Sequence, residues 1–322
     1  MPVHAFVFPG QGSQHVGMGR ALADAFPIAR EVFQEVDEAL RQQLSRLMFE
    51  GPAETLTLTE NAQPALMAMS LAVLRVLETE GGFRLQQKSA LVAGHSLGEY
   101  SALAGTGAFT ITDAARLLRL RGQAMQKAVP AGAGAMAALL GADMVQAEEL
   151  CATAGPVPDS ETGEVEVIET ANDNGGGQLV VSGHKGAIDR AITIAPDLGV
   201  RRAMLLPVSA PFHCSLMAPA AEAMAEALER CPPRQPVVPV VPNVSASKTT
   251  DPAEIRELLV KQVTATVRWR ESVLAMAAIG INSFVELGAG KVLAGLVKRI
   301  APEAAASSAA TPAEIEVLLK SL

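Results

Sequence analysis

Residues 89–99, SALVAGHSLGE, hold the pattern from which the architecture follows. SALVAG (89–94) is a short continuous apolar run, as in a central parallel strand covered on both faces. The run stops at Gly94, and a helix follows from about residue 97. Gly94-His95-Ser96-Leu97-Gly98 fits G-x-S-x-G. With a strand before it and a helix after it, this is the setting of a nucleophile elbow. The sharp turn sets the Ser96 hydroxyl out from the sheet edge. Flanking glycines let neighbouring strands and helices come close. The N-terminus of the helix behind favours developing negative charge.

Upstream of this stretch, residues 3–8 read as a strand. Apolar positions at Ile28, Val32, Val36, Leu40 and Leu44 mark one face of a helix over 28–44. PALMAMSLAVLRVLE, from Pro64, is apolar nearly all round, as in a buried helix. Downstream, Thr110 and Asp113 stand in capping-box spacing at the start of a helix that stops before Pro130. The rhythm then changes. Strands over 135–141, 164–169, 178–183 and 202–208 alternate with helices over 143–154 and 186–195. That β-α-β-β-α-β order predicts a ferredoxin-like unit. Past it come a helix over 216–230, the proline-interrupted strand PVVPVVPNV, and helices over 252–263 and 267–279. INSFVELG is a last strand and GKVLAGLVKRI a helix, and 304–310 reads as an Ala/Ser linker. The fold class is therefore α/β: a large part with a central, mostly parallel sheet (1–131 and 207–322), interrupted by a small ferredoxin-like part (132–206).

Composition removes several function classes. Acidic residues outnumber basic ones, 34 to 26, for a net charge of −8. That balance, with one Trp and one Tyr, argues against nucleic-acid binding. Cys151, Cys214 and Cys231 match no zinc spacing, so they read as reduced thiols and no metal site is expected. No basic n-region and apolar h-region precede the first strand, and residues 64–77 are too short to span a membrane. A cytoplasmic location is expected. The early strand and the cap signal Thr311-Pro312-Ala313-Glu314 predict a discrete chain rather than an excised module.

FVFPGQGSQ (6–14) raises the question of a phosphate loop. His15 stands where the dinucleotide fingerprint needs glycine or alanine, and a P-loop lysine is missing. A serine nucleophile needs a base. Of the five histidines, His4 lies within a strand and His15 and His184 in loops. His95 adjoins Ser96, and consecutive residues on an elbow point apart. His213 follows LLPVSAPF, past a strand end and before a helix, where active-site residues gather in open α/β sheets. No single carboxylate stands out as a third member.

FPGQGSQ, GHSLGEYSAL, RGQAMQ, NDNGGGQLVVSG, VSAPFHCSLM and ELGAGKVLAGLVKRI resemble, in order, the motifs of malonyl-CoA:acyl carrier protein transacylases. These are the acyltransferases of fatty acid and polyketide synthesis, and the likeness covers nearly the whole chain. It implies a large hydrolase-like part interrupted by a ferredoxin-like part. It implies ping-pong transfer of malonyl from malonyl-CoA, through Ser96, to the phosphopantetheine thiol of an acidic acyl carrier protein, with CoA as product and no permanent cofactor. By the same resemblance His213 is the base, held by a backbone or amide oxygen near Gln262. Backbone N–H groups of Gln11 and Leu97 form the oxyanion hole, and Arg121 pairs with the malonyl carboxylate. Phe212 resembles the malonyl-type members, and His95 falls with the substrate-binding positions. The family is usually monomeric. Lys185, Arg201, Arg202, Lys291, Lys298 and Arg299 are candidates for docking the carrier. Gly175-Gly176-Gly177 replaces a frequent Ser-Pro-Gly, and Ala289 a frequent proline. Two rivals stay open on the residues alone: a serine hydrolase using the same elbow with water, and a non-catalytic carrier-binding protein.

Overall fold

A computed structural model describes residues 3–155, 157, 165–208 and 210–322. In chain order the strands are β1 (His4–Phe8), β2 (Ser89–Gly94), β3 (Gly134–Leu140), β4 (Ile168–Asp173), β5 (Gln178–His184), β6 (Arg202–Leu205), β7 (Val240–Val241), β8 (Ser283–Leu287) and β9 (Ala305–Ala309). The larger sheet has the order β7-β2-β1-β8-β9, parallel throughout. β1 is buried at every position, as a central strand covered on both faces must be. One face carries Phe6, Phe8 and Val92 into a core with Leu66 and Leu103. The other packs Ala5, Val7 and Phe284 against Trp269 and Val273.

The smaller sheet is antiparallel, in the order β4-β5-β3-β6. With the helices Met144–Ala154 and Lys185–Ile194 this is the ferredoxin-like arrangement. Alternation along β3 divides its side chains. Ala135, Ala137 and Leu139 pack with Leu150 and Ile188 under the two helices. Met136, from the opposite face, joins the core of the larger part. The sheet is thus laid against the larger part rather than tethered beside it.

Several boundaries differ from the sequence reading. The helix expected over 28–44 breaks at Arg41, whose φ is +49°, into Pro27–Leu40 and Leu44–Glu50. The buried helix starts before Pro64 and spans Thr59–Gly81. Residues 304–310 are no linker: Ala305–Ala309 form β9, paired with β8. Small residues suffice there because β9 needs only its backbone to close the sheet. The strand expected over 164–169 starts at Ile168. Residues 156 and 158–164, most of the loop between the Met144–Ala154 helix and β4, lie outside the described residues. β6 stops at Leu205 rather than 208. The proline-rich segment contributes only the two-residue edge strand β7, where missing N–H donors do least harm. No helix among the described residues is long and apolar enough to cross a membrane.

Candidate active site

Phe8 at the end of β1 pairs with Gly94 at the end of β2, and the chain turns sharply there. Ser96 has φ +53°, in the left-handed region that a residue with a side chain rarely adopts. The helix Gly98–Gly105 follows at once. A Cβ on Gly94 would lie 1.9 Å from the Gly98 carbonyl, and one on Gly98 2.2 Å from the Phe8 carbonyl oxygen. Only glycine permits this approach on both sides of the serine, so the G-x-S-x-G spacing is a packing requirement.

The Ser96 hydroxyl lies 2.8 Å from Nε2 of His213. His213 itself has φ +60°, just before the short 3-10 turn Ser215–Met217. Its Nδ1–H donates to the backbone carbonyl of Gln262 at 2.8 Å. Gln262 ends the helix Pro252–Gln262. Carbonyls in the last turn of a helix lack internal partners, and the negative end of the helix dipole favours an imidazolium. A helix terminus thus stands where a carboxylate would orient the ring. Burial, and then the nearby Arg121 cation, push the His213 imidazole down to about 3, so it is neutral and able to accept a proton.

Arg121 comes from the helix Ile111–Lys127. It is 1% exposed, and among the described residues it forms no ion pair. Its Nη1 donates to Gln63 Oε1 at 2.9 Å, and its Nη2 to Gln262 Oε1 at 2.9 Å and to Ser96 Oγ at 3.2 Å. A buried cation bordered by neutral amides and a nucleophile is a seat for an anionic group.

Ser96 and His213 face a cavity of about 280 Å³ between the two sheets. Gln11, Ser96, Phe212 and His213 line it from the larger part, Met136 and Val180 from the smaller. Gln11 sits on the loop after β1, and Leu97 directly follows the serine. Among the described residues, neither uses its backbone N–H on an internal acceptor. His95 also borders the cavity. Its Nε2–H donates to Asn174 Oδ1 at 2.8 Å, and burial lowers its pKa. The ring therefore links the elbow to the turn after β4. No group of three potential metal ligands occurs among the described residues.

Of the expected site residues, Gln11, His95, Ser96, Phe212 and His213 line this cavity. Arg121 and Gln262 do not line it and join the site through hydrogen bonds to Ser96 and His213, and Leu97 follows Ser96 in the chain. Sequence reasoning missed Gln63, Glu99, Asn174 and Asn243. Glu99 lies inside GHSLGE and Asn174 inside NDNGGG, so position in a motif was the available signal. Gln63 and Asn243 had only the weak one of a polar residue in an apolar run.

The model for the acyl transferase domain matches residues 5–314. The malonyl CoA-acyl carrier protein transacylase of Bacillus subtilis is 44% identical over 99% of this chain and 96% of its own. That of Escherichia coli K12 is 44% identical over 99% and 100%. A crystal structure of acyl-carrier-protein-S-malonyltransferase from Bartonella henselae superposes with a TM-score of 0.94, at 52% identity over 99% of both chains. A type II PKS acyl-carrier protein in complex with its malonyl-transacylase gives a TM-score of 0.93, at 39% identity over 99% of this chain and 100% of that one. With the domain matched over residues 5–314 and relatives 44% identical over nearly the whole chain, the chain belongs to the acyl transferase domain family.

Proposed function

We propose that the chain moves a malonyl group from malonyl-CoA to the phosphopantetheine thiol of an acyl carrier protein, supplying extender units for fatty acid synthesis. The observation that carries this reading is the buried, ion-pair-free Arg121 at 3.2 Å from the Ser96 hydroxyl. A nucleophile beside such a cation selects an acyl group that brings its own carboxylate.

The reaction runs in two halves. His213 Nε2 takes the Ser96 proton while Oγ attacks the thioester carbon. The carbonyl oxygen becomes an oxyanion, met by the N–H groups of Gln11 and Leu97. The C–S bond breaks, CoA leaves with the proton from His213, and malonyl-Ser96 remains. The carrier thiol then gives its proton to His213 and attacks the ester carbonyl. Collapse returns the proton to Ser96 Oγ and releases malonyl-carrier. Arg121 holds the malonyl carboxylate in both halves, and Gln63 and Gln262 keep its guanidinium oriented. Phe212 and His95 shape the cavity, whose apolar wall from the smaller sheet suits the pantetheine arm common to CoA and carrier. No bound cofactor takes part.

Residues 1–131 and 207–322 form the catalytic part and 132–206 the small part, working as a cytoplasmic monomer. Of the basic candidates for docking the carrier, Lys185 is paired with Asp189 at 2.6 Å and Lys291 with Glu314 at 2.8 Å. Exposed Arg201, Arg202 and Lys298 form no ion pair among the described residues, so they are favoured.

Intact-mass analysis after mixing with malonyl-CoA tests the reading. The wild-type chain gains one malonyl group on Ser96, discharged by carrier thiol, and Ser96→Ala gains none. Equal labelling of Ser96→Ala refutes the mechanism. Malonyl-CoA hydrolysis at one rate with or without carrier makes the chain a thioester hydrolase instead.

A further inference from the structure

Behind the dyad, Asn243 and Glu99 form a buried polar knot with Gln262 and take no part in these steps themselves. Asn243 follows β7 and is fully buried. Its Oδ1 accepts the Ser96 backbone N–H at 2.7 Å, and its Nδ2 donates to the Gly94 carbonyl at 2.6 Å. One side chain thus clamps the elbow on both sides of its turn. Ser96 needs such a clamp, because a left-handed serine persists only where its surroundings over-determine it.

Glu99 completes the knot. It sits in the first turn of the helix after the elbow and is buried. Its Oε2 accepts the Asn243 backbone N–H at 2.9 Å and Gln262 Nε2 at 2.8 Å. Gln262 Nε2 also lies 3.1 Å from the Ser96 carbonyl oxygen, while the Gln262 backbone carbonyl holds His213. The nucleophile and the residue that holds its base are therefore fastened to the same two side chains. Its hydrogen bonds come from two neutral donors, one from each segment that must stay in register, with the Arg121 cation acting on it electrostatically.

We propose that Asn243 and Glu99 are positioning residues for acyl transfer, which together set the separation of Ser96 Oγ and His213 Nε2. The proposal rests on the reading of those two groups as the dyad. It requires the oxygen of Glu99 rather than its charge. Misplacing a reacting group by about 1 Å costs on the order of 100-fold in rate.

Single-turnover acylation at saturating malonyl-CoA, with KM and the melting temperature measured alongside, tests it. Asn243→Ala and Glu99→Ala are expected to acylate about 30- to 100-fold more slowly, with KM for malonyl-CoA little changed. Glu99→Gln keeps an acceptor oxygen and is expected to stay within about threefold of wild type, a rescue that loss of fold would not show. Folded Asn243→Ala and Glu99→Ala chains acylating at the wild-type rate overturn the proposal, as does a Glu99→Gln chain as slow as Glu99→Ala. If Asn243→Ala does not fold, the two Glu99 variants decide by the same criteria. A wild-type chain that takes up no malonyl group overturns the dyad reading, and this inference with it.

Discussion

The protonation of His213 gives the sharpest test of the proposed chemistry. Only the neutral imidazole can take the Ser96 proton. Burial and Arg121 push its pKa from 6.5 down to about 3. A base with a depressed pKa stays active as pH falls through its ordinary value and is lost only near the depressed one. An unshifted imidazole would slow acylation about 30-fold between about pH 8 and about pH 5; His213 as placed here loses almost nothing over that range. The assay is kcat/KM for acylation by malonyl-N-acetylcysteamine, a thioester without phosphates to titrate. Glu99, pushed up by burial to about 7, titrates in the same window, so the profile is also recorded on Glu99→Gln. The expected result is a flat profile for Glu99→Gln down to about pH 5. A further expectation follows from Arg121 as the second cause of the depression. A malonyl carboxylate bound to Arg121 offsets that cation, so the base is stronger in the occupied site. The acid limb of kcat, which reports the complex, then lies above that of kcat/KM, which reports the free enzyme. A break at 6 to 7 in the kcat/KM profile of Glu99→Gln would refute the reasoning.

Arg121→Met removes the seat for the substrate carboxylate. The kcat/KM for malonyl-CoA should fall by about 2–5 kcal/mol while that for acetyl-CoA does not; parallel losses on both thioesters would mean that Arg121 serves the fold alone. Gln11→Pro deletes one N–H of the proposed oxyanion hole. It should lower kcat by about 3–4 kcal/mol, and an unchanged kcat in a folded variant removes Gln11 from the mechanism. Charge reversal at Arg201 and Arg202 should raise KM for carrier protein and leave KM for malonyl-CoA unchanged, as read from initial rates at varied concentration of each; equal shifts on both would exclude this docking face.

Legibility followed the range of the forces involved. The elbow was readable because its parts are adjacent in sequence: an apolar strand, two glycines at which a Cβ would come within 1.9 and 2.2 Å of backbone atoms, and a helix start. The smaller part was readable from the order of its elements. β9 was not, since AASSA lacks the branched and aromatic residues that mark strands and owes its conformation to β8. Nor was the break at Arg41, where an arginine takes a backbone angle usually left to glycine. Gln262 was placed by family likeness, which left open whether its backbone or its amide holds the histidine. Both oxygens are in use, the backbone one on His213 and the amide one on Arg121. Asn243 gave only a weak signal and Glu99 only its place in a motif, because their meaning lies in contacts about 150 residues apart along the chain.

The position of β1 bears on how the chain reaches its native state. β1 is the middle strand of its sheet, and one neighbour, β8, follows some 280 residues later in the chain, through contacts such as His4 Nδ1 to Ser283 Oγ at 2.9 Å. Pairings this distant in sequence are slow to form. Until they do, the face of β1 and β2 that Trp269 and Val273 cover stands open on the growing chain, the kind of exposure that chaperones cover. Chains ending between residues 262 and 283 would carry Ser96, Arg121, His213 and Gln262 and still lack β8, the strand that joins β1 to β9. The site would thus be held in place only once β8 has been made and paired with β1.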